Sequence, residues 1–247
     1  MKRGKKLYAG KANTLYEVLS DDGSVEQYVL EMESTDRISA GDGERTDVVN
    51  GKGYANNLVS TLLFKKFEEA GVPTHFISEG TTSSSKFVKK AKMIPLEVIG
   101  RNFTAGSFCR RYGVDEGIEF DPMLLELTYK CDESHDPLIT EHAAVALGIV
   151  DDETIENIVN YTYIINDVAT DFFDELGLTL IDFKVEFGFD RATGEFMLAD
   201  EFSQDTCRLH DAEGNSVDKD IFRRGDSNGE VSSTYQKMVD MLEAMNK

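Results

Sequence analysis

The chain has 247 residues, in which 46 Asp and Glu outnumber 26 Lys and Arg, so that the formal net charge is −20. A surface this acidic repels nucleic acid and anionic membranes, and we expect neither as a partner. The length suffices for one large domain or for two modest lobes that share a cleft. Because the surface is acidic, any anionic ligand must be held by a local group of Lys and Arg side chains.

The sequence also carries signals about the cellular compartment. The basic N-terminal segment lacks the apolar run and cleavage site of a signal peptide, and no segment has the roughly 18 apolar residues of a membrane-spanning helix. Cys109, Cys131 and Cys207 are far apart and form no CxxC pair. They predict reduced thiols rather than a disulfide or a zinc site. We expect a cytoplasmic protein.

The N-terminal part of the chain predicts antiparallel strands and one helix. The predicted elements are strands within residues 5–33, interrupted at Gly10, a helix at residues 55–70, and strands at residues 86–90 and 93–99. A turn signal at residues 21–24 separates two alternating apolar and polar runs, which is typical of a β-hairpin. Apolar residues recur at helical spacing before Gly71 and Pro73, which end the helix.

The C-terminal part predicts further helices around a second sheet. The predicted elements are a short helix at residues 104–112, a long helix at 151–176, strands at 178–187 and 195–202, and a helix from about Glu230. Asp151 or Asp152 caps the long helix and Gly177 stops it. Residues 190–194 predict the turn of a hairpin. This order of elements predicts an α+β fold in two lobes.

The strand at residues 180–187 carries three charges on one face. Because alternate residues of a strand share a face, Asp182, Lys184 and Glu186 point the same way. A solvated outer face is one interpretation of this pattern. The return strand, however, becomes densely polar at Asp200, where the hairpin brings it near Lys184 and Glu186. Two carboxylates on neighbouring strands suit Mg²⁺, which keeps phosphate oxygens as other ligands, so Glu186 and Asp200 are the predicted metal pair.

A glycine and a lysine lie between two strand halves at residues 10–14, in the sequence GKANT. A loop of this kind on a β-hairpin covers nucleotide phosphates with backbone N–H groups and one point charge, here Lys11. A plain turn is the alternative interpretation. The segment is not a Walker A loop, which needs GxxxxGK[ST] before a helix.

Two further segments have the composition of ligand-binding loops. Residues 39–43, SAGDG, form a turn that admits a ligand close to the backbone, or an ordinary loop. Residues 99–111 place three arginines and a serine at a strand-to-helix junction. A helix N-terminus beside an arginine attracts phosphate through its dipole and through charge. Arg101 and Ser107 are the expected phosphate ligands, whereas Arg110 and Arg111 lie within the helix and are expected in solvent.

Seven segments, in order along nearly the whole chain, resemble those of the SAICAR synthetase (phosphoribosylaminoimidazole-succinocarboxamide synthase) family. They are GKANTLY, SAGDG, PLEVIGRNFTAGSFCRRYGVDEG, LTYKCDESHDPLIT, LIDFKVEFG, LADEFSQDTCRL and DKDIFRR. The resemblance implies a small antiparallel β N-terminal lobe (residues 1–92) over a larger α/β C-terminal lobe (residues 93–247), with ATP in the cleft. A homodimer is expected only by analogy with similar bacterial enzymes.

The resemblance also implies a reaction. ATP, 5-amino-1-(5-phosphoribosyl)imidazole-4-carboxylate and L-aspartate give the succinocarboxamide SAICAR, ADP and phosphate, with Mg²⁺ as cofactor. Transfer of the γ-phosphoryl group to the substrate carboxylate forms an acyl phosphate, which the amine of aspartate displaces. The protein contributes positioning and charge stabilisation, which agrees with a sequence that shows no Ser-His-Asp or Cys-His pattern.

Carried over segment by segment, the resemblance implies roles for individual residues. The catalytic set is Lys11, Lys184, Glu186 and Asp200. The ATP-binding set is Lys11, Ala12, Asn13, Lys90, Lys92, Met93, Lys130, Glu186 and Asp200, in which residues 90–93 line the adenine through their backbone. The ribonucleotide set is Arg101, Ser107 and Arg208. The candidates for the region where aspartate meets the carboxylate are Ser39, Asp42, Lys184 and Arg223, and Gly41 and Asp205 complete the substrate-binding set. The chain departs from the family at Asn13, where a second lysine is usual; an amide donates a hydrogen bond but does not neutralise a phosphate.

Three alternatives remain beside the ligase interpretation. A kinase-like phosphotransferase is the nearest, although the chain has no HRD or DFG motif. A regulatory binding module with an acidic docking face is the second. A catalytically degenerate homologue that binds ATP without turnover, because of Asn13, is the third. ATP turnover that depends on a second substrate distinguishes the ligase from all three.

Overall fold

Alternating residues at the start of the chain form an antiparallel sheet. This computed structural model describes residues 1–41 and 44–245. The five strands of the first sheet are β1 (Lys2–Ala9), β2 (Asn13–Leu19), β3 (Val25–Ser34), β6 (Phe76–Glu79) and β7 (Ser85–Lys89). Their order is β1-β2-β3-β7-β6. A separate two-stranded ribbon follows β3 and consists of β4 (Arg37–Ala40) and β5 (Arg45–Val48). The predicted interruption at Gly10 is confirmed, because the chain turns there between β1 and β2.

The second sheet is also antiparallel and is built around one long strand. Its strands are β8 (Ala91–Met93), β9 (Leu96–Phe103), β10 (Glu119–Tyr129), β11 (Leu138–Ile139), β12 (Thr179–Asp190), β13 (Phe196–Ala199) and β14 (Cys207–His210). Strands β9 and β14 flank the first half of β12, and β8 and β13 flank its second half. The predicted hairpin of β12 and β13 is confirmed. The single strand predicted at residues 93–99 is wrong: it is divided at Pro95, which has no N–H to donate to a ladder.

Besides a short 3-10 helix (Asp132–Ser134), six α-helices complete the described part of the chain. They are α1 (Lys52–Glu69), α2 (Ser107–Tyr112), α3 (Glu141–Ala146), α4 (Asp152–Asp174), α5 (Asp220–Arg224) and α6 (Asn228–Met245). The predicted cap of α4 is confirmed, since the side chain of Asp151 accepts a 2.8 Å hydrogen bond from the backbone N–H of Thr154. Helices α3 and α5 were not predicted, because each is too short to show an apolar repeat.

Helix α1 packs on both sheets and holds them together. Phe64 and Phe67 belong to one apolar core with Phe172 of α4 and Phe183 of β12. Helix α1 also contacts the first sheet through polar groups, since the amide nitrogen of Asn57 donates to the carbonyl oxygens of Ser83 and Ser85. Burial of each large apolar side chain contributes about 1.5–3 kcal/mol, so this shared core ties the two sheets into one structure.

The α+β fold class is confirmed, and the place where the chain changes sheet is clear. Strand β7 ends at Lys89 in the first sheet, and Ala91 already pairs with Asp190 in the second. The division into lobes at residue 92 stays a prediction, because α1 packs against both sheets. Among the described residues, none of the helices combines the length and the apolar character needed to cross a membrane.

Candidate active site

A cavity of about 1000 Å³ is lined by residues from both sheets. The first sheet contributes mainly apolar side chains, including Leu15, Leu30 and Met32, whereas β9 and β12 contribute charged ones. The charged face of β12 therefore does not point to bulk solvent: Asp182 and Glu186 are buried, at 3 % and 4 % exposure. The solvated-face interpretation of this strand is wrong, because the first sheet covers it.

Two lysines and two carboxylates form what we call the lysine–carboxylate cluster: Lys130, Lys184, Glu186 and Asp200. Glu186 accepts hydrogen bonds from Lys130 Nζ at 2.6 Å and from Lys184 Nζ at 2.8 Å. Burial opposes the ionisation of Glu186, but the charges of Lys184 and Lys130 outweigh it and lower its pKa. Lys184 also donates to Glu97 at 3.0 Å. The cluster therefore holds its charges in fixed positions at the cavity wall.

Asp200 is the one member of the cluster under strain. It follows β13 with φ of 61°, in the left-handed region that few residues other than glycine adopt. Burial, together with the charges of Glu186 and Glu201, raises its pKa to about 7. In the described part of the chain, no donor forms a hydrogen bond with its carboxylate. A divalent cation or a donor on a ligand would relieve this repulsion, so the chemistry of the donors fits the predicted metal pair of Glu186 and Asp200.

Residues 1–41 and 44–245 contain no group of three or more His, Cys, Asp or Glu side chains that could hold a metal ion. A metal held by the protein alone is therefore not indicated in this part of the chain. Mg²⁺ typically keeps one or two carboxylates and takes its remaining ligands from substrate phosphate and water. The pair of carboxylates fits that mode of binding, in which the metal arrives with a nucleotide.

Two arginines flank Asp182 and form what we call the arginine pair, Arg101 and Arg208. Asp182 lies opposite Arg101 of β9 on one side and opposite Arg208 of β14 on the other. Arg101 Nη1 donates to Asp182 at 2.6 Å, and Arg208 Nη1 donates at 2.7 Å. Arg208 Nε is occupied by Asp220 at 2.7 Å. The pair lines the cavity with a fixed orientation, which the cross-strand register imposes.

The structure limits the role that was predicted for Arg101. Its side chain is 2 % exposed, and its Nε donates to Glu126 at 2.7 Å while Nη1 is used by Asp182. Only Nη2 is left, and it lies 3.4 Å from Ser107 Oγ. Truncation of Arg101 would remove one cationic partner from each of two buried carboxylates, Glu126 and Asp182, which keep Arg111 and Arg208 as their other partners, so it would disturb an ion-pair network as well as any ligand contact. Arg208 and Ser107 therefore test the phosphate site better than Arg101 does.

The loop between β1 and β2 reaches the cavity through Lys11, Ala12 and Asn13. Lys11 is exposed at its mouth. The carbonyl oxygen of Ala12 accepts 2.8 Å hydrogen bonds from the backbone N–H and the hydroxyl of Thr35, which hold the loop in place. The amide nitrogen of Asn13 donates to Glu201 Oε1 at 3.1 Å. Asn13 therefore links the loop to the segment that carries Asp200.

The side chains of residues 89–93 alternate at the cavity wall, and the predicted backbone contribution of Lys90 and Lys92 stays a prediction. Lys89, Ala91 and Met93 line the cavity, whereas Lys90 and Lys92 do not. The reason is the alternation of an extended chain, in which successive side chains point to opposite faces. The backbone N–H of Lys90 also donates to Tyr28 and its carbonyl accepts from Arg191, so its backbone groups are already in use. Met93 is at the cavity as predicted.

Asp205 is at the cavity, and its predicted role in substrate binding stays a prediction. Its Oδ2 accepts from Lys52 Nζ at 2.8 Å and its Oδ1 from the Tyr235 hydroxyl at 2.6 Å. Each oxygen therefore accepts one short hydrogen bond from a protein donor, which fixes the orientation of the carboxylate at the cavity wall. Ser39, Gly41 and Arg223 line the same cavity. Asp42 lies outside the described residues.

Several cavity residues were not predicted from the sequence. They are His75, Glu97, Asp136, Glu201 and Lys219. Asp136 lies in the segment LTYKCDESHDPLIT, so its position within a family segment was an available signal. Glu201 adjoins Asp200 in a polar run, and this position could also have been used to predict it. Glu97 and Lys219 also lie in family segments, PLEVIGRNFTAGSFCRRYGVDEG and DKDIFRR, so the same signal was available for them.

The fold and the cavity define an α+β protein whose charged side chains converge on one cleft, an arrangement suited to anionic substrates. A sequence model described as SAICAR synthetase matches residues 6–242. The phosphoribosylaminoimidazole-succinocarboxamide synthase of Streptococcus gordonii is 44 % identical over 241 residues, which cover 98 % of each chain. The chain therefore belongs to the SAICAR synthetase family, and it is an enzyme, a ligase of purine biosynthesis.

Solved structures agree with this assignment. The crystal structure of the synthase from Ehrlichia chaffeensis has a TM-score of 0.88 and 32 % identity, with 97 % of this chain and 99 % of that chain covered. A type-2 SAICAR synthetase in complex with ADP has a TM-score of 0.85 and 37 % identity, with 96 % and 97 % covered. The predicted family, fold class and enzyme class are confirmed.

His75 generates a pH-dependent contribution to stability. It is 4 % exposed, and burial together with the charge of Lys86 lowers its pKa from 6.5 to about 3. Below pH 6.5 the unfolded chain binds a proton that the folded chain does not, so stability falls as the pH falls toward 3. Between pH 7.5 and pH 5.5, wild type should lose about 1.4 kcal/mol more free energy of unfolding than His75→Gln. Urea unfolding of both proteins at the two pH values measures this difference, and equal losses would contradict the assignment.

Proposed function

We propose that the enzyme joins L-aspartate to 5-amino-1-(5-phosphoribosyl)imidazole-4-carboxylate, using ATP and releasing SAICAR, ADP and phosphate. The observation that carries this proposal is the spacing of charges on β12. Asp182, which orients the arginine pair, and Glu186, which belongs to the lysine–carboxylate cluster, lie four residues apart on the same face. The strand rise separates them by about 13 Å. That separation leaves room for a ribonucleotide with its phosphate at one end and its carboxylate at the other.

The phosphate of the ribonucleotide is assigned to the arginine pair. Arg208 Nη2 packs against the backbone beside Ser107. It lies so close to Gly106 that a Cβ added at this residue would be only 2.4 Å away. Arg101 Nη2 also points to Ser107. No partner for Arg208 Nη2 is found among residues 1–41 and 44–245. Two guanidinium edges and one hydroxyl therefore converge where a phosphate dianion is best bound.

The nucleotide is assigned to the other end of the cavity. Lys11 and the backbone of Ala12 cover it from the loop of the first sheet, and Lys130 faces it from the second. Apolar side chains of the first sheet supply a surface for the base. The similar SAICAR synthetase that was solved in complex with ADP supports an adenine nucleotide as the ligand.

The chemistry follows from bringing these groups together. A carboxylate oxygen of the ribonucleotide attacks the γ-phosphorus of ATP, and the bond to ADP breaks, which gives an acyl phosphate. The neutral amine of aspartate then attacks the acyl carbon, phosphate leaves, and the amine proton passes to an oxygen base. Lys130 and Lys184, already fixed by Glu186, stabilise the negative charge that moves between these oxygens.

Mg²⁺ is the proposed cofactor, with Glu186 and Asp200 as its ligands from the protein. When bound, it would neutralise the phosphate charge of ATP and orient the γ-phosphoryl group. The support is the paired acidic side chains, of which Asp200 has a raised pKa and accepts no hydrogen bond within the described chain. We further propose a cytoplasmic location and a homodimer, both by analogy with the family.

The function is tested by product formation. Purified enzyme with ATP, Mg²⁺, the carboxyaminoimidazole ribonucleotide and L-aspartate should release ADP and form SAICAR, whereas omission of any one substrate should abolish SAICAR. Chromatography with mass detection identifies the product. ADP release without aspartate would point to a phosphotransferase. ATP binding without any release would indicate a degenerate homologue and place Asn13 first under suspicion.

Removal of either proposed metal ligand should remove catalysis without unfolding the protein. Glu186→Gln and Asp200→Asn keep the side-chain shape but lose a negative charge, and each should lower kcat by at least about 100-fold. Calorimetry with Mn²⁺ and ADP should show weaker metal-dependent nucleotide binding in both variants. The control is Glu195→Gln, an exposed carboxylate on the hairpin outside the cavity. Wild-type kcat in both cavity variants would refute the assignment.

A substitution at Gly106 tests the placement of Arg208 in the phosphate site. In Gly106→Ala the new Cβ would meet the Arg208 guanidinium at 2.4 Å, so the arginine must move. KM for the ribonucleotide should rise at least about tenfold, with KM for ATP changed less. Gly113→Ala controls for a positive φ alone, because Gly113 has φ of 64° and ψ of 37° with open space around it, whereas Gly106 has φ of 55° and ψ of −118°. Equal kinetic effects in both variants would show backbone strain rather than loss of the phosphate site.

A further inference from the structure

A buried lysine lies behind the wall of the cavity and has no part in the proposed function. Lys86 of β7 is fully buried, and within the described residues its ammonium has no hydrogen-bond acceptor. The ammonium lies 5.1 Å from the centroid of the Phe64 ring of α1. A cation–π contact offsets only part of the cost of removing an ammonium group from water. Lys86 therefore requires a further interaction with negative charge.

The strand register places Lys86 on the face of the first sheet that is turned to the cavity. Lys86 lies opposite Met32 of β3, and Val88 lies opposite Leu30. Residues opposite each other in an antiparallel pair share a face, and so do residues two apart on one strand. Met32, Val88 and Leu30 line the cavity, whereas the buried Lys86 does not reach its surface. The Lys86 ammonium therefore lies between the cavity wall and α1.

The segment that carries Asp200 is attached to the same region of the first sheet. The backbone N–H of Lys89, at the end of β7, donates to the carbonyl oxygen of His75 at 2.7 Å. The backbone N–H of His75 donates in turn to the carbonyl oxygen of Leu198 in β13 at 2.9 Å. Two backbone hydrogen bonds thus connect β7, through His75, to the strand that ends just before Asp200.

The carboxylates of this segment supply the negative charge. Glu201 is 6 % exposed, and its hydrogen-bond donors in the described chain are neutral: Asn13 Nδ2 at 3.1 Å and Ser203 Oγ at 2.7 Å. No lysine or arginine among residues 1–41 and 44–245 forms a direct ion pair with Glu201 or Asp200. Burial lowers the pKa of Lys86 to about 8, and Glu201 and Asp200 oppose this effect, so the lysine is mostly charged at pH 7. The cation and the carboxylates therefore balance each other through the protein interior, where a low dielectric strengthens their attraction.

This balance bears on nucleotide binding. In the proposed function, the nucleotide phosphates lie at this end of the cavity, near Lys11, Lys130 and Asp200. Negative charge at the cavity wall repels a polyphosphate unless positive charge offsets it. Lys86 supplies positive charge from behind the wall, where it takes no space from the nucleotide and where dissolved ions screen it little.

We propose that Lys86 is a positioning residue for the nucleotide: its buried ammonium offsets the charge of Glu201 and Asp200, so that nucleotide phosphates bind beside these carboxylates. The inference rests on the proposed function for the placement of the nucleotide. It depends on the charge of Lys86 and not on its shape, so it predicts other results than a lysine that only fills the core.

Binding of ADP to variants of Lys86 tests the inference. Lys86→Met keeps the length of the side chain and Lys86→Gln keeps a hydrogen-bond donor, but both lose the positive charge. In EDTA, the Kd for ADP should rise at least about tenfold in both variants, as measured by NMR titration or calorimetry. With saturating Mg²⁺ the rise should be smaller, because the metal offsets the charge of the same segment.

The matched control is Lys65→Met. Lys65 is an exposed lysine of α1 outside the cavity, and its ammonium also lies over an aromatic ring, 5.8 Å from the centroid of Phe76. This variant should bind ADP as wild type does. Wild-type affinity in both Lys86 variants would overturn the inference, and so would an equal loss with and without Mg²⁺, which would show an effect of packing.

A second substitution tests whether the charge is responsible. Asn13 donates to Glu201, so Asn13→Lys brings an ammonium to the same carboxylate from the cavity side. In the Lys86→Met background it should restore most of the ADP affinity, and its gain there should be at least about threefold larger than in wild type. Equal gains in the two backgrounds would overturn the inference. If neither single variant of Lys86 folds, folding of Lys86→Met with Asn13→Lys would support the charge balance, and failure of this variant as well would overturn it.

Failure of this inference and failure of the proposed function are distinguishable, because ADP binding requires no turnover. If wild type forms no SAICAR but ADP binding depends on Lys86 as described, the proposed reaction fails and the role of Lys86 stands. If wild type forms SAICAR and the Lys86 variants bind ADP as tightly as wild type, the inference is wrong and the reaction stands. Absence of both product and ADP binding in wild type would refute both.

Discussion

The ion-paired Asp182 is the constraint on which the sheet and the cavity both depend. It lies between Arg101 and Arg208 on adjacent strands, and its carboxylate accepts from both guanidinium groups. A buried carboxylate is costly unless it is paired, and so is each buried arginine. The three residues therefore fix the register of β9, β12 and β14 and, by the same contacts, orient the guanidinium edges toward the cavity. Stability and ligand binding are not separable at this point of the fold.

The same strand links the arginine pair to the lysine–carboxylate cluster. One face of β12 enters the apolar core through Phe183, Val185 and Phe187. The other face presents Lys184 and Glu186 to the cavity, two and four residues beyond Asp182. Because the core anchors the first face, the charged face cannot rotate away, so the fixed charges are preorganised before any substrate arrives.

Most of the fold could be predicted from the sequence because its signals are local. Alternation along β12, the cap at Asp151 and the stop at Gly177 all depend on neighbouring residues. The failures come from contacts that no local pattern reports. The sequence around Lys52 does not indicate that its side chain is buried, because its partner Asp205 is 153 residues away. The same pairing fixes the orientation of the Asp205 carboxylate at the cavity wall.

Charge distribution connects these contacts with the substrates. Over the whole chain 46 acidic residues outnumber 26 basic ones, but among the described residues that line the cavity there are seven acidic and eight basic. The cavity is thus the place where the acidic background is interrupted, as the composition required. Asn13 makes this balance depend on fewer lysines near the nucleotide, and it uses its amide to bind Glu201 instead. Since Glu201 adjoins Asp200, the uncharged loop residue orders the acidic segment beside the proposed metal pair, and in the proposed function Lys11 and Lys130 neutralise the phosphate.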